Sequence, residues 1–328
     1  MVLDRPAPIG ERPLHATTRE ARAPGEDDIA IEVRACGVCR TDLQLCEGDL
    51  AARTLPIVPG HQIVGRVSAI GSRVTRFAVG DRAAIGWLAS ACGACKHCHA
   101  GRENLCERAA FTGWDRDGGY ATRAIARADF AFRVPESFSD ADAAPLLCGG
   151  VIGYRSLKRS NVAPGGKLGL YGFGASATLT IQIARARGDR VFVCTRSIEE
   201  RTRAIELGAE WAGGYDERPP EPLDGAITFA PSGDVVVAAL RALDRGGTVA
   251  INAIHLDRVP EFSYDALWLE RNIVSVANYT REDAEELLAL AAQIPVRTVY
   301  DTFALDDANV ALERLRAGRV RGAAVLVA

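Results

Sequence analysis

Cys92, Cys95, Cys98 and Cys106 are separated by two, two and seven residues within the segment 91–107. Four thiolates this close in sequence can close one tetrahedral shell with no open position, which is how a structural zinc site is built. A disulfide pairing requires an oxidising compartment, and no apolar secretory leader is present to direct the chain there. A redox Cys-x-x-Cys accounts for two of the cysteines and leaves the other two unexplained. His97 and His99 share the lobe and, beside four thiolates, are read as solvated bystanders.

A length of 328 residues suggests two domains and is ample for a buried core. With 25% charged residues and a formal net charge of -3, neither a polyanion-binding surface nor a membrane face is expected. No apolar run reaches transmembrane length. The nine cysteines therefore read as metal ligands plus buried thiols in a cytoplasmic protein, with Cys36, Cys46 and Cys194 in the second group.

The first third reads as short strands and turns: residues 29–34 alternate, and 56–60, 63–67 and 82–86 follow with glycine and proline punctuation. The cysteine lobe interrupts this β-rich region, and strand character resumes at 119–125. From about Ala141 a helical pattern runs through Cys148 and residues 151–157. Beyond Pro164, apolar strands at 167–171, 190–194, 225–230 and 247–251 alternate with helices at 175–187, 198–207 and 234–243. That repetition predicts a doubly wound parallel sheet covered on both faces. A helix at 283–292, a second at 308–317 and a strand at 322–327 close the chain, and the tail is expected to return to the first domain.

Gly172-Phe-Gly-Ala-Ser-Ala177 follows a buried strand and opens a helix, the context that makes a glycine pattern a dinucleotide fingerprint. Gly172 permits the tight turn and Gly174 lets the backbone approach a pyrophosphate. Ala175 and Ser176 open the helix whose amides face it, and Ala177 is an accepted third position. The next strand ends Val193-Cys-Thr-Arg-Ser197, without the acid that usually binds the ribose hydroxyls of NAD. Thr195, Arg196 and Ser197 can instead receive a 2'-phosphate, so NADP(H) is favoured over NAD(H).

Cys39-Arg-Thr-Asp42, Gly60-His61-Gln-Ile-Val-Gly65, the four-cysteine lobe, Cys148 and the glycine motif agree in order and spacing from Cys39 to Ala177. In this the chain resembles the zinc-dependent alcohol dehydrogenases of the medium-chain dehydrogenase/reductase superfamily. The resemblance implies an α/β protein with a GroES-like β-rich catalytic domain (1–147 and 296–328), a Rossmann cofactor domain (148–295) and an active site in the cleft between them. It implies two zinc ions per chain: a structural one on the four cysteines, and a catalytic one on Cys39, His61 and Cys148 with an open position. Asp42 would orient His61, Thr41 would relay a proton, and Arg40 and Arg321 would meet the cofactor pyrophosphate. The implied reaction interconverts alcohols and aldehydes or ketones, with substrate displacing zinc-bound water and hydride moving between the substrate carbon and nicotinamide.

Two positions depart from the family: Gln44 stands where a histidine often ends the proton relay, and Gln62 where glutamate often follows the ligand histidine. Trp87 and Trp114 fall in segments that approach the substrate cleft in the family, which points to an apolar or aromatic alcohol. Competing expectations are a polyol dehydrogenase, a reductase of iminium or enone substrates, and a non-catalytic NADP(H)-binding zinc protein. The expected partner is a small-molecule alcohol or aldehyde, with no nucleic acid or membrane, in a homodimer or homotetramer.

Overall fold

Alternation over residues 29–34 becomes β1 (Asp28–Val38), in which Ile29, Ile31 and Val33 are buried while Glu32 and Arg34 face solvent. The structure is a computed structural model and describes all residues except 255 and 257. After β1 the chain turns into a short helix, α1 (Arg40–Glu47), and returns as β2 (Gln62–Ile70), antiparallel to β1. The other edge of β1 is shared: residues 28–32 pair with Arg123–Arg127, and residues 35–38 pair with the returning strand Ala323–Val327. These belong to a seven-stranded sheet, antiparallel apart from the pair Tyr300–Ala304 and Ala323–Val327. The tail thus pairs with β1 in the β-rich unit.

The second unit is a six-stranded parallel sheet. Its first strand, β3 (Lys167–Tyr171), feeds α2 (Ala175–Ala186), then β4 (Arg190–Cys194) and α3 (Ile198–Glu206). Across the sheet the order is Trp211–Gly213, β4, β3, Leu223–Thr228, Leu243–Ile251 and Asn272–Ser275. The chain therefore winds outward from β3 in one direction and then the other, and the reversal point beside β3 is where open α/β sheets bind ligands. Strand burial is near-continuous, as parallel sheets covered on both faces require.

The helical run expected through Cys148 is broken. Asp140–Ala143 gives way to a 3-10 turn over Ala144–Leu147, and helix resumes only at Gly149–Arg159. Pro145 lies in the 3-10 turn, and Cys148 takes φ -130° and ψ -77°, outside any helix. The break takes Cys148 out of the helical ladder.

The unit boundaries also differ from those expected. The first unit comprises Met1–Cys148, Asn278–Gln293 and Arg297–Ala328; the second comprises Gly149–Ala277 and Ile294–Val296. Residues 278–293, expected in the cofactor domain, join the first unit because two side chains fasten them there. Buried Tyr279 accepts a hydrogen bond from the Leu88 amide at 3.4 Å. Glu103, inside the cysteine lobe, accepts from the Arg281 amide at 2.9 Å and from its Nε at 3.1 Å. Among the described residues no helix is long and apolar enough to cross a membrane.

Burial works to raise the Glu103 pKa, but donation from Arg281 outweighs it and holds the carboxyl below its usual range. A depressed carboxylate pKa contributes stability above its unfolded value, about 4.3, and that contribution is lost as pH falls through the folded value. Glu103→Gln should therefore lower stability at pH 7 by roughly 1 to 2 kcal/mol. Denaturant titrations of both proteins should show the gap closing below about pH 4.

Candidate active site

The end of β1 delivers Cys39 to the N-cap of α1 in an extended conformation, and Asp42 occupies the third helical position. There the Asp42 carboxylate reaches back to cap the helix, accepting from the Cys39 amide at 2.8 Å. Its other oxygen accepts from the Gly60 amide at 3.2 Å and meets His61 Nδ1 at 3.0 Å. Tyr120 donates its hydroxyl at 3.3 Å. Asp42 is 2% exposed and His61 1%, so one buried carboxylate ties together α1, the turn before β2 and the segment around Tyr120.

With Nδ1 committed to Asp42, Nε2 is the His61 atom left for ligation. One ligand atom from each of Cys39, His61 and Cys148 lies within 4.8 Å of the others, and the two sulfurs are 3.8 Å apart. The Thr41 hydroxyl lies 3.8 Å from the Cys39 sulfur. Cys92, Cys95, Cys98 and Cys106 form a second group within the same limit, with Cys92 and Cys98 at 3.8 Å and Cys95 and Cys98 at 3.6 Å. Sulfurs bound tetrahedrally at about 2.3 Å to one zinc ion stand roughly 3.8 Å apart. Both groups thus have the spacing and the sulfur and imidazole chemistry that fit zinc, one with four donors and one with three.

A hydrogen bond with Cys148 holds the Cys39 pKa well below its usual value despite burial, and the same bond, with burial, pushes Cys148 up. Burial works to lower the His61 pKa, but Asp42 overrides it and raises it to about 10. The Asp42 carboxylate thus makes His61 a stronger base, the direction in which a partner carboxylate strengthens a metal-ligating imidazole.

Half-buried Trp87 packs edge-on against His61 with ring centroids 4.9 Å apart. It stacks on Phe111 at 5.1 Å and on Trp114 at 5.8 Å. The Arg53 guanidinium lies 3.7 Å from the Trp114 ring centroid and pairs with Asp115 at 3.3 Å, closing the outer side of this aromatic wall.

One support was not legible as functional. Gly118, Gly119 and Tyr120 donate their amides to Val58, Gly60 and Pro59 carbonyls at 2.7, 2.8 and 2.9 Å, clamping the turn that presents His61. The doublet Gly118-Gly119 is its trace in the sequence, where only Gly119 falls within the strand expected over 119–125. A side chain on Gly118 would run into the Gly60 carbonyl, and one on Gly60 into the Tyr120 ring.

In the second unit, Gly172 has φ +92°, and a Cβ there would lie 2.9 Å from the Ala230 amide. A Cβ on Gly174, the N-cap of α2, would meet nothing within 4 Å. The turn therefore leaves space in front of the amides opened by Ala175 and Ser176, while Ala177 is fully buried. This is a cradle that fits a pyrophosphate.

At the end of β4, Thr195 is 2% exposed, Arg196 is exposed and Ser197 caps α3 by accepting from the Glu200 amide. The Thr195 hydroxyl donates to Glu200 at 2.5 Å and the Ser197 hydroxyl to Glu199 at 2.6 Å. Neither glutamate was read from the sequence as part of the site. Arg40 is exposed at the start of α1. Arg321 has a side chain 77% exposed and a guanidinium 4.0 Å from Asp301. Gln44 is half-buried and Gln62 buried in β2.

The alcohol dehydrogenase GroES-like domain family matches residues 25–136. The chain is 47% identical to the probable alcohol dehydrogenase AdhA of Mycobacterium tuberculosis, over 98% of this chain and 95% of that protein. It is 31% identical to the NADP-dependent alcohol dehydrogenase C 1 of Mycolicibacterium smegmatis, over 94% and 93%. Among solved structures, a cinnamyl alcohol dehydrogenase of Sorghum bicolor superposes with a TM-score of 0.85 at 28% identity, covering 94% of this chain and 92% of that one.

The clamp on the His61 turn predicts that Gly60→Ala is costly, since Gly60 holds φ +96° and faces the Tyr120 ring. Loss of roughly 2 to 4 kcal/mol is expected in thermal or denaturant unfolding. Unchanged stability would show that the turn can reform without glycine.

Proposed function

The chain belongs to the zinc-dependent alcohol dehydrogenases of the medium-chain dehydrogenase/reductase superfamily, and we propose that it interconverts aromatic primary alcohols and their aldehydes with NADP(H) in preference to NAD(H). It is an enzyme of alcohol oxidoreduction. The observation that carries the substrate reading is the aromatic wall beside His61. A polyol would need hydrogen-bond partners, and the wall offers few: the Trp114 Nε1 already donates to the Ala51 carbonyl at 2.9 Å. A planar ring gains both apolar burial and ring-to-ring contact there. The Sorghum bicolor enzyme, whose name gives cinnamyl alcohol as substrate, supports the same class.

Cys39, His61 and Cys148 are the residues that would hold a catalytic zinc, and the four lobe cysteines a structural one. When bound, the catalytic zinc would supply a Lewis acid that favours an alkoxide over an alcohol, and the nicotinamide a hydride acceptor. Asp42 holds the His61 ring in one orientation through Nδ1. Thr41 carries a hydroxyl able both to accept and to donate, so it takes the proton of the substrate hydroxyl. Gln44 has no proton to exchange near neutral pH, so as Thr41 accepts the substrate proton its own hydroxyl proton would pass to solvent water and not to a titrating side chain at position 44. Trp87, packed against His61, would shield that side of the site from water and line it with apolar surface. Gly172, Gly174, Ala175, Ser176 and Ala177 would cradle the cofactor pyrophosphate, and Arg196 would meet the 2'-phosphate.

Assays of primary and secondary alcohols, polyols and aldehydes with both cofactors test this reading. Aromatic aldehydes should give the highest kcat/KM, and Trp87→Ala should reduce it selectively for them; a polyol as best substrate would overturn the substrate class. Cys148→Ser should abolish turnover and remove one of two zinc ions while leaving the fold intact. Thr41→Val should nearly abolish turnover with both zinc ions retained.

A further inference from the structure

We propose that Glu200 is a second cofactor-discriminating residue, an acid that opposes Arg196 and keeps the protein able to bind NAD(H). This rests on the cofactor site proposed above. An NAD site usually places its acid at the end of the second strand of the sheet, where a carboxylate can accept both ribose hydroxyls. Here that strand, β4, ends in Cys194 and is followed by Thr195, Arg196 and Ser197. The acid missing from this segment arrives from the helix.

Ser197 and Glu200 have the spacing of a capping box, in which the glutamate side chain ordinarily returns to the backbone N–H of the cap residue. The first half of that box is present, since Ser197 Oγ accepts from the Glu200 amide at 3.2 Å. The second half is not: the Glu200 carboxylate crosses to the Thr195 hydroxyl at 2.5 Å. Thr195 cannot follow it outward, because its amide is tied to the Gly213 carbonyl at 2.9 Å and its side chain is buried. A cap residue's geometry has been given up to bring a carboxylate to the strand end. Arg196, exposed one residue further on, forms no ion pair with Glu199 or Glu200 among the described residues.

Two side chains of opposite charge, Arg196 and Glu200, therefore belong to the same short segment that follows β4. A 2'-phosphate gains from the guanidinium and is repelled by the carboxylate, whereas a ribose diol donates to the carboxylate and has little use for the guanidinium. Cofactor preference is the difference between the two.

Dissociation constants of NADPH and NADH, measured by fluorescence titration on the zinc-loaded protein, test this in Glu200→Gln, Arg196→Ala and the double variant. The amide of Glu200→Gln still accepts from Thr195, so the start of α3 is preserved. Glu206→Gln, an exposed change of equal charge at the far end of α3, controls for net charge. Glu200→Gln should raise the NADPH preference about tenfold, mostly by weakening NADH, and Glu206→Gln should leave it within about twofold. An unchanged preference in Glu200→Gln, or an equal rise in Glu206→Gln, overturns the proposal. Arg196→Ala should lower the NADPH preference by about 10- to 100-fold. If it does not, the Arg196 reading fails while a positive Glu200→Gln result still stands.

Discussion

The Asp42 carboxylate is the interaction on which the rest of the first unit's chemistry depends. It is buried and receives the Cys39 amide, the Gly60 amide, the His61 ring and the Tyr120 hydroxyl. A buried charge is tolerated only when its hydrogen-bonding capacity is filled, and four partners from three chain segments fill it. The same bonds that satisfy the charge set the position of two of the three candidate ligands. The contacts that cap the helix and hold the turn therefore also bring Cys39 and His61 together.

Local chemistry made much of this legible. The cysteine spacing within 91–107, the glycine turn after residues 167–171 and the alternation of strands and helices depend on near neighbours, and each appears in the structure where its residues stand. Cys148 was assignable by resemblance, but its release from the helix was not, because the apolar period continues across a break that the 3-10 turn at Ala144–Leu147 creates. Residues 278–293 read as the last helix of the cofactor domain because the bonds that claim them, Glu103 to Arg281 and Tyr279 to Leu88, join positions 178 and 191 residues apart. Periodicity carries no information about such partners. Gly118, Gly119 and Tyr120 were hidden for the same reason, their purpose being the close approach of a distant turn.

The end of β4 shows a different limit. Reading Thr195, Arg196 and Ser197 in isolation assigns their hydroxyls to an incoming phosphate. In the structure both hydroxyls already donate to carboxylates from the next turn of helix. The balance of charge is not visible in the sequence, because whether Glu200 points to its own helix cap or to the preceding strand is decided by rotamer and packing. Specificity at such a place is a difference between opposed terms, and small geometric choices decide its sign.

The central proposal is that one carboxylate organises a three-residue group able to hold zinc, separate from the four-cysteine group. It is tested most directly by titrating zinc out of Asp42→Asn and the unmodified protein with a competing chelator. Of two zinc ions, one should be held about 10- to 100-fold more weakly in Asp42→Asn, while the other is released at the same chelator concentration in both proteins. Identical release curves for both ions would contradict the account.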